Sequence, residues 1–188
     1  MRKNFGSKPW CYPQPVFILA AYDENGNPNV MNVAWGGIHY DDQIAMCISA
    51  GHKTTANILA SKAFTVSMAD TEHLVACDYV GVASGNKVPD KFEKAGFTHS
   101  KSEFVNAPII NELPMTLECE FISYDPESCN LIGRIVNVSA DEKILDETGK
   151  IDPRKLRPIT FDPVHNHYLE IGDKVGNAFR DGLSLKDK

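Results

Sequence analysis

Apolar residues in this chain gather in short runs separated by turn residues, with few helical stripes. Residues 16–22 (VFILAAY) form an apolar run between Pro15 and the polar stretch 23–28, which predicts a buried strand entering a turn. Asn25-Gly26 in that stretch is a strong hairpin signal, so residues 29–35 are the partner strand. A short turn then leads to a strand at 43–49, with Ile44, Met46 and Ile48 on one face. Thr54 or Thr55 is placed to cap a helix running to about Ser61, with Ile58 and Leu59 facing inward. Residues 63–69 read as a strand and 72–80 as a helix. A further helix is expected over 90–95, with Pro89 in its first turn and Gly96 as its stop. The segments 114–124 and 129–140 alternate over long spans, and Asp125-Pro126-Glu127-Ser128 joins them into a large hairpin. Residues 142–165 are polar and proline-bearing, predicting a wandering connection. A last short strand is expected at 168–172, and the tail from Gly182 is expected to fray.

Strands dominate, and no alternating β-α-β rhythm appears. The pattern predicts a mainly β fold, an antiparallel barrel with a few short peripheral helices, in one domain over 1–188. A hydrophobic fraction of 43% against 23% charged supports a packed core over disorder. The net charge of −6 and the lack of any basic block argue against nucleic acid. Early positive charges have no apolar run behind them, and no stretch approaches the roughly 18 apolar residues that span a membrane. The expected location is cytoplasmic.

The five cysteines are widely spaced, odd in number and free of CxxC, which disfavours a disulfide framework or a zinc ribbon. Cys47 and Cys119 sit in strand-like runs and are expected to be buried. Cys77 and Cys129 lie nearer loops and are the candidates for reactivity.

The densest chemistry lies at 49–57. Ser49, His52, Lys53, Thr54, Thr55 and Asn57 fall within one loop and helix start, where unpaired amides and the helix dipole favour an anion. A phosphate needs such donors and a positive charge. The plainer alternative is a threonine cap beside a solvated lysine. Just upstream, Asn32, Val33, Ala34 and Trp35 end a strand with a flat ring and small neighbours, suited to border a planar ligand. Trp35 could equally be a core or dimer-contact residue. Together the two segments suggest a phosphorylated aromatic cofactor. His165 and His167 share a strand face, but no third ligand sits at familiar spacing, so a metal is not expected. No GxGxxG follows a strand.

These segments, with Pro13-Gln14-Pro15-Val16, Ser84-Gly85, Asp90-Lys91-Phe92 and Tyr168-Leu169-Glu170-Ile171-Gly172, resemble the flavin reductase-like family, flavoredoxin-type members in particular. The resemblance implies an FMN-binding split β-barrel. It places Asn32, Val33, Ala34 and Trp35 at the flavin ring edge. Ser49, Lys53, Thr54, Thr55 and Asn57 would hold the phosphate and ribityl chain, with His52 as a further donor. Ser84, Gly85 and Lys91 would complete the pocket, the lysine favouring reduced, anionic flavin. A turn and a solvated helix face is the alternative for that last group. The implied function is electron transfer between NAD(P)H or a protein donor and an acceptor, without a protein acid or base. A homodimer and a redox partner protein are implied too. Residues 142–167 would cover the flavin or bind that partner. A non-enzymatic FMN sensor or store is the alternative, and haem binding a weaker third.

Overall fold

The computed structural model describes residues 1–186. β1 (Phe17–Tyr22) and β2 (Pro28–Val33) form the predicted hairpin, in register from Phe17 opposite Val33 to Tyr22 opposite Pro28. The Asp23 carboxylate organises the turn, accepting from the amides of Asn25 and Asn27 at 2.9 Å each. Gly26 sits at φ +81°, a conformation that favours glycine.

The chain departs from expectation after β2. It bends at Ala34 and Trp35 and continues as another strand, β3 (Gly36–Tyr40), where only a turn was expected. β3 pairs with β4 (Gln43–Cys47). Two glycines and an outward Ile38 and Tyr40 hide β3 from a hydrophobic pattern, because it is an exposed edge strand.

With β5 (Ala63–Met68), β8 (Met115–Asp125) and β9 (Asn130–Ala140), the main sheet has the order β2-β1-β5-β8-β9-β4-β3, antiparallel throughout. Its two edges, β2 and β3, are consecutive in the chain. The sheet must therefore curl until the edges approach at a seam, and the β3–β4 ladder runs back to the bend itself, where the Cys47 amide donates to the Trp35 carbonyl at 2.8 Å. Inside the curl lie Phe17, Leu19, Val33, Ile44, Met46, Phe64, Val66 and Leu131, joined by Ile58 of α1 (Lys53–Ser61). The opposite face of β1, through Val16, Ile18 and Ala20, packs on Cys77 and Val80 of α2 (Leu74–Val82) and on Phe92 of α3 (Lys91–Lys94). β1 is thus covered on both faces, which explains its unbroken apolar run.

Three short strands escaped the pattern: β6 (His99–Lys101) and β7 (Pro108–Ile110), which pair with each other, and β10 (Ile159–Asp162), which pairs with β11 (His167–Glu170), the expected last strand. Strands of three or four residues carry too little periodicity to read. The stretch expected to wander contains a 3₁₀ turn at Glu142–Ile144, α4 (Pro153–Leu156) and β10. Neither Thr54 nor Thr55 caps α1, whose cap is His52; both threonines lie inside the helix. Pro89 precedes the Asp90 cap of α3 and is outside its first turn. The tail from Gly182 forms most of a 3₁₀ turn, Asp181–Leu185, and residues 187 and 188 lie outside the described residues. No helix among the described residues is long and apolar enough to cross a membrane.

Core packing leaves no slack at Gly133. A Cβ on Gly133 of β9 would stand 2.3 Å from Cζ of the fully buried Phe64. Gly133→Ala should therefore destabilise the chain by about 1–3 kcal/mol through overpacking. In thermal unfolding that is a fall of about 2–4 °C per kcal/mol for a chain of this size. An unchanged melting temperature would contradict this packing.

Candidate functional site

Beside the seam, β2, the start of α1, the end of α2 and the β10–β11 hairpin enclose a cavity of about 540 Å³. Each wall has a sequence reason. β2 is a sheet edge, so only one side of its backbone is paired, to β1. The other side is available to helices and ligand. α2 lies close against it because Gly81 has no side chain: a Cβ there would stand 2.9 Å from Cβ of Asn32. The Asn32 amide group in turn donates to the Cys77 carbonyl of α2 at 3.0 Å.

At one end of the cavity α1 begins. Ala56 is the first residue whose amide bonds back into the helix, to His52 at 3.2 Å. The amides of Lys53, Thr54 and Thr55 come before that ladder, and no side chain caps them. Lys53 adds a positive charge, and a second loop closes over this end. Gly85 approaches Asn29 and Lys53 so closely that a Cβ would meet Asn29 Nδ2 at 2.6 Å and Lys53 Cβ at 3.2 Å. Asn29 is buried and accepts from the Thr54 hydroxyl at 2.7 Å, while Asn86 donates to the Gly51 carbonyl at 2.9 Å. Those contacts lock the 83–88 loop onto the helix start.

At the other end stand aromatic rings. Trp35 is half exposed, and its ring centre lies 6.1 Å from that of Phe161, which lies 6.1 Å from Tyr168. β10 carries Phe161 and is pinned from behind: the Gln14 amide donates to the Thr160 hydroxyl and the Phe161 amide to the Gln14 carbonyl, both at 2.8 Å. The Tyr12 hydroxyl donates to Asp162, and this bond, with His165, holds that carboxyl well below the usual range. Tyr168 donates to Asp78 at 2.7 Å. Burial, and then that carboxylate, raise its phenol well above the ordinary value.

Between the ends lies Lys91. It is buried, and its ammonium donates to the carbonyls of Val80 at 3.0 Å and Ala83 at 2.8 Å. These carbonyls end α2, where the dipole favours a cation. Burial lowers its pKa to about 8. The solvated helix face that was the alternative for Lys91 is ruled out.

Of the residues predicted to form a site, Asn32, Val33, Ala34, Trp35, His52, Lys53, Thr54, Ser84, Gly85 and Lys91 line this cavity. Ser49, Thr55 and Asn57 do not. The Thr55 hydroxyl donates to the Ser49 carbonyl at 2.8 Å, Asn57 is buried in the helix, and Ser49 Oγ accepts from Gly51 at 3.3 Å. A one-dimensional cluster at a helix start spreads round the helix once folded, so only part of it can face one side. The sequence reading missed Asp78, Gly81 and Phe161. Only folding brings the polar 142–165 stretch and α2 to β2, and no local motif marked them.

Cys47 was expected to be buried and is exposed, lining the cavity. The alternation that puts Ile44 and Met46 inside sends Cys47 outward. Cys77, a candidate for reactivity, is fully buried, and its thiol is pushed up to about 12. It is inert.

Residues 10–160 match the model of the flavin reductase like domain. The chain belongs to the flavin reductase-like family. Its fold is similar to that of flavoredoxin of Desulfovibrio vulgaris (Miyazaki F), with a TM-score of 0.92 and 34% identity, covering 97% of this chain and 100% of that one. Flavoredoxin from Methanosarcina acetivorans gives 0.88 and 26%, covering 98% and 99%. An FMN-binding domain of a flavin reductases-like enzyme from Shewanella baltica OS155 gives 0.77 and 18%, covering 87% and 89%, a likeness of fold. The expected mainly β split barrel is the fold found, with its split at the bend between β2 and β3.

Within this family member, the fit of Gly85 to Asn29 can be tested without a ligand. Gly85→Ala must displace one of the two, so hydrogen exchange should quicken at Asn86, Lys87 and the first turn of α1. Exchange rates equal to wild type in both segments would show that the loop is held elsewhere.

Proposed function

We propose that this chain binds FMN in the cavity and transfers electrons through it, as a flavin reductase or flavoredoxin-like carrier. One observation carries the reading: a single cavity has a cationic, uncapped helix start at one end and an aromatic, strand-edge wall at the other. FMN has matching halves, a phosphate near dianionic at neutral pH and a flat ring with a hydrogen-bonding edge. Membership of the flavin reductase-like family supports it.

FMN supplies the redox chemistry when bound; the chain positions and tunes it. Lys53 and the amides of the first α1 turn hold the phosphate, with His52 beside them. Ser84 and Gly85 close over the ribityl chain. Asn32, Val33, Ala34 and Trp35 meet the ring edge from the unpaired side of β2. Thr54 contributes its amide, since its hydroxyl proton is directed to Asn29. Lys91 places a positive charge in the wall, which favours the anionic, reduced flavin. Reduction by NAD(P)H or a protein donor then needs proximity to the exposed ring, not a protein acid. A homodimer fits the exposed β3 beside the seam, where Ile38 and Tyr40 face outward.

Anaerobic visible spectra test the reading. Flavin absorption from the purified chain, released as FMN and bleached by NADH or NADPH, makes it a reductase. Bound FMN that no nicotinamide bleaches makes it a carrier or sensor, and failure to bind FMN overturns the proposal. Lys53→Ala should weaken FMN by about 10- to 100-fold, the loss of one charge-assisted contact, and leave riboflavin within about twofold. Equal losses for both ligands would take the phosphate away from Lys53.

Lys91 gives a pH signature. Its ammonium is present below about pH 8 and lost above it. FMN affinity should therefore fall as pH rises from 7 to 9 in the wild-type chain and stay level in Lys91→Met. A wild-type profile as flat as that of the variant would remove Lys91 from the ligand's charge environment.

A further inference from the structure

One cysteine stands at the cavity, and two more lie near it. Cys47 lines the cavity itself and also an adjoining groove of about 400 Å³ shared with Cys11. Cys129 ends the turn between β8 and β9, and it is the strand neighbour of Cys47. Cys47 lies opposite Asn130, and the Ile48 amide donates to the Cys129 carbonyl at 2.8 Å. Antiparallel neighbours one residue out of step have Cα atoms roughly 6 Å apart, from the strand spacing and rise. A disulfide spans about 4.4–6.8 Å.

Pleating normally sends such neighbours to opposite faces. Cys129 breaks the alternation with φ at 58°. Both thiols lie at the β8–β9 turn, next to Tyr124, whose hydroxyl donates to the Ile48 carbonyl at 2.9 Å. Its phenol is raised above the ordinary value by burial, then by the adjacent Cys129 thiol, and also by Cys47. Neither thiol donates a short hydrogen bond. Each makes one long contact of 3.8 Å, Cys47 to the Ser128 carbonyl and Cys129 to the Pro126 carbonyl. Cys77 and Cys119 are buried, with thiols pushed up to about 12, and take no part. No group of three His, Cys, Asp or Glu side chains among the described residues is arranged to hold a metal ion.

We propose that Cys47 and Cys129 form a dithiol–disulfide couple at the cavity mouth, exchanging an electron pair with the bound flavin and passing it to disulfide substrates. The exchange rests on the FMN reading; formation of the bond does not. In the reducing step the Cys47–Cys129 bond breaks and accepts two electrons and two protons. One proton leaves the reduced flavin as it is oxidised, and the other comes from water. In the second step the exposed Cys47 thiolate attacks an external disulfide, forming a mixed disulfide and releasing one thiolate. Cys129 then attacks the Cys47 sulfur, releasing the second thiolate and restoring the internal bond.

The first arm of the test uses the flavin-free chain. Mild oxidation with diamide, followed by digestion without reductant and peptide mass mapping, should yield a Cys47–Cys129 linked peptide. Two titratable thiols per chain should be lost in wild type and in Cys11→Ser, and that link should be missing from Cys47→Ser and Cys129→Ser. A link from Cys47 to Cys11, bonds only between chains, or no loss of thiols would overturn the pair. In the second arm the oxidised chain is loaded with FMN and photoreduced without oxygen, then left in the dark. Two thiols should return while the flavin spectrum reverts to oxidised. Flavin that stays reduced beside an intact disulfide overturns the exchange. A chain that binds no FMN overturns the exchange and the functional reading together, while the first arm judges the pair alone.

Discussion

The constraint on which the rest depends is that β2 and β3, the two edges of one sheet, follow each other in the chain. A connection of two residues, Ala34 and Trp35, leaves the sheet no choice but to curl on itself. Closure buries the inner face of the main strands other than the exposed edge β3 and gives the core its enclosed shape. It cannot be complete, because the chain bends where it crosses the seam. The bend leaves β2 with an unpaired outer side, an aggregation hazard in an open sheet. Here α2 and α3 cover part of that side and a cavity occupies the rest. The same geometric necessity makes the barrel and opens the site.

Close backbone approach then sets the cavity's shape. Gly81 lets α2 sit on Asn32, and Gly85 lets the following loop sit on Asn29. Asn29 ties this loop to α1 through Thr54, so one buried side chain of β2 fixes both the helix start and the loop facing it. Buried polar groups of this kind are costly when unpaired and specifying when paired. Asn29 and Thr54 therefore act through placement, setting where the free amides of α1 point.

The sequence was legible where burial on one face writes a period into the chain. The long β8–β9 hairpin has that imprint, while β1, buried along its whole length, shows instead as an unbroken apolar run beside a turn signal. Edge strand β3 and the short β6, β7 and β10 do not, because too few of their side chains are buried in alternation. At the site, the local cluster around Lys53 could be found because it is contiguous. Phe161 could not, since it reaches the cavity only through hydrogen bonds between β10 and Gln14, far away in sequence. Cys47 was misplaced for a different reason. Its strand's composition suggested burial, while the inward positions of Ile44 and Met46 already required it to face out.

Charge gives the cavity its chemical direction. Lys91 and Asp78 both line the wall, yet they are not equivalent. Asp78 accepts a hydrogen bond from the Tyr168 hydroxyl, which partly offsets its charge. Lys91 is satisfied only by neutral carbonyls at the end of α2, so its hydrogen bonds are met while its charge is not cancelled. Carbonyl dipoles make burial of an ammonium tolerable, while burial still lowers its pKa. An anion entering the cavity would supply what is missing, and the lower the local dielectric, the larger its effect. A wall built this way discriminates between charge states of a ligand more than between its shapes. That property suits a cofactor whose reduced form carries a charge that its oxidised form lacks.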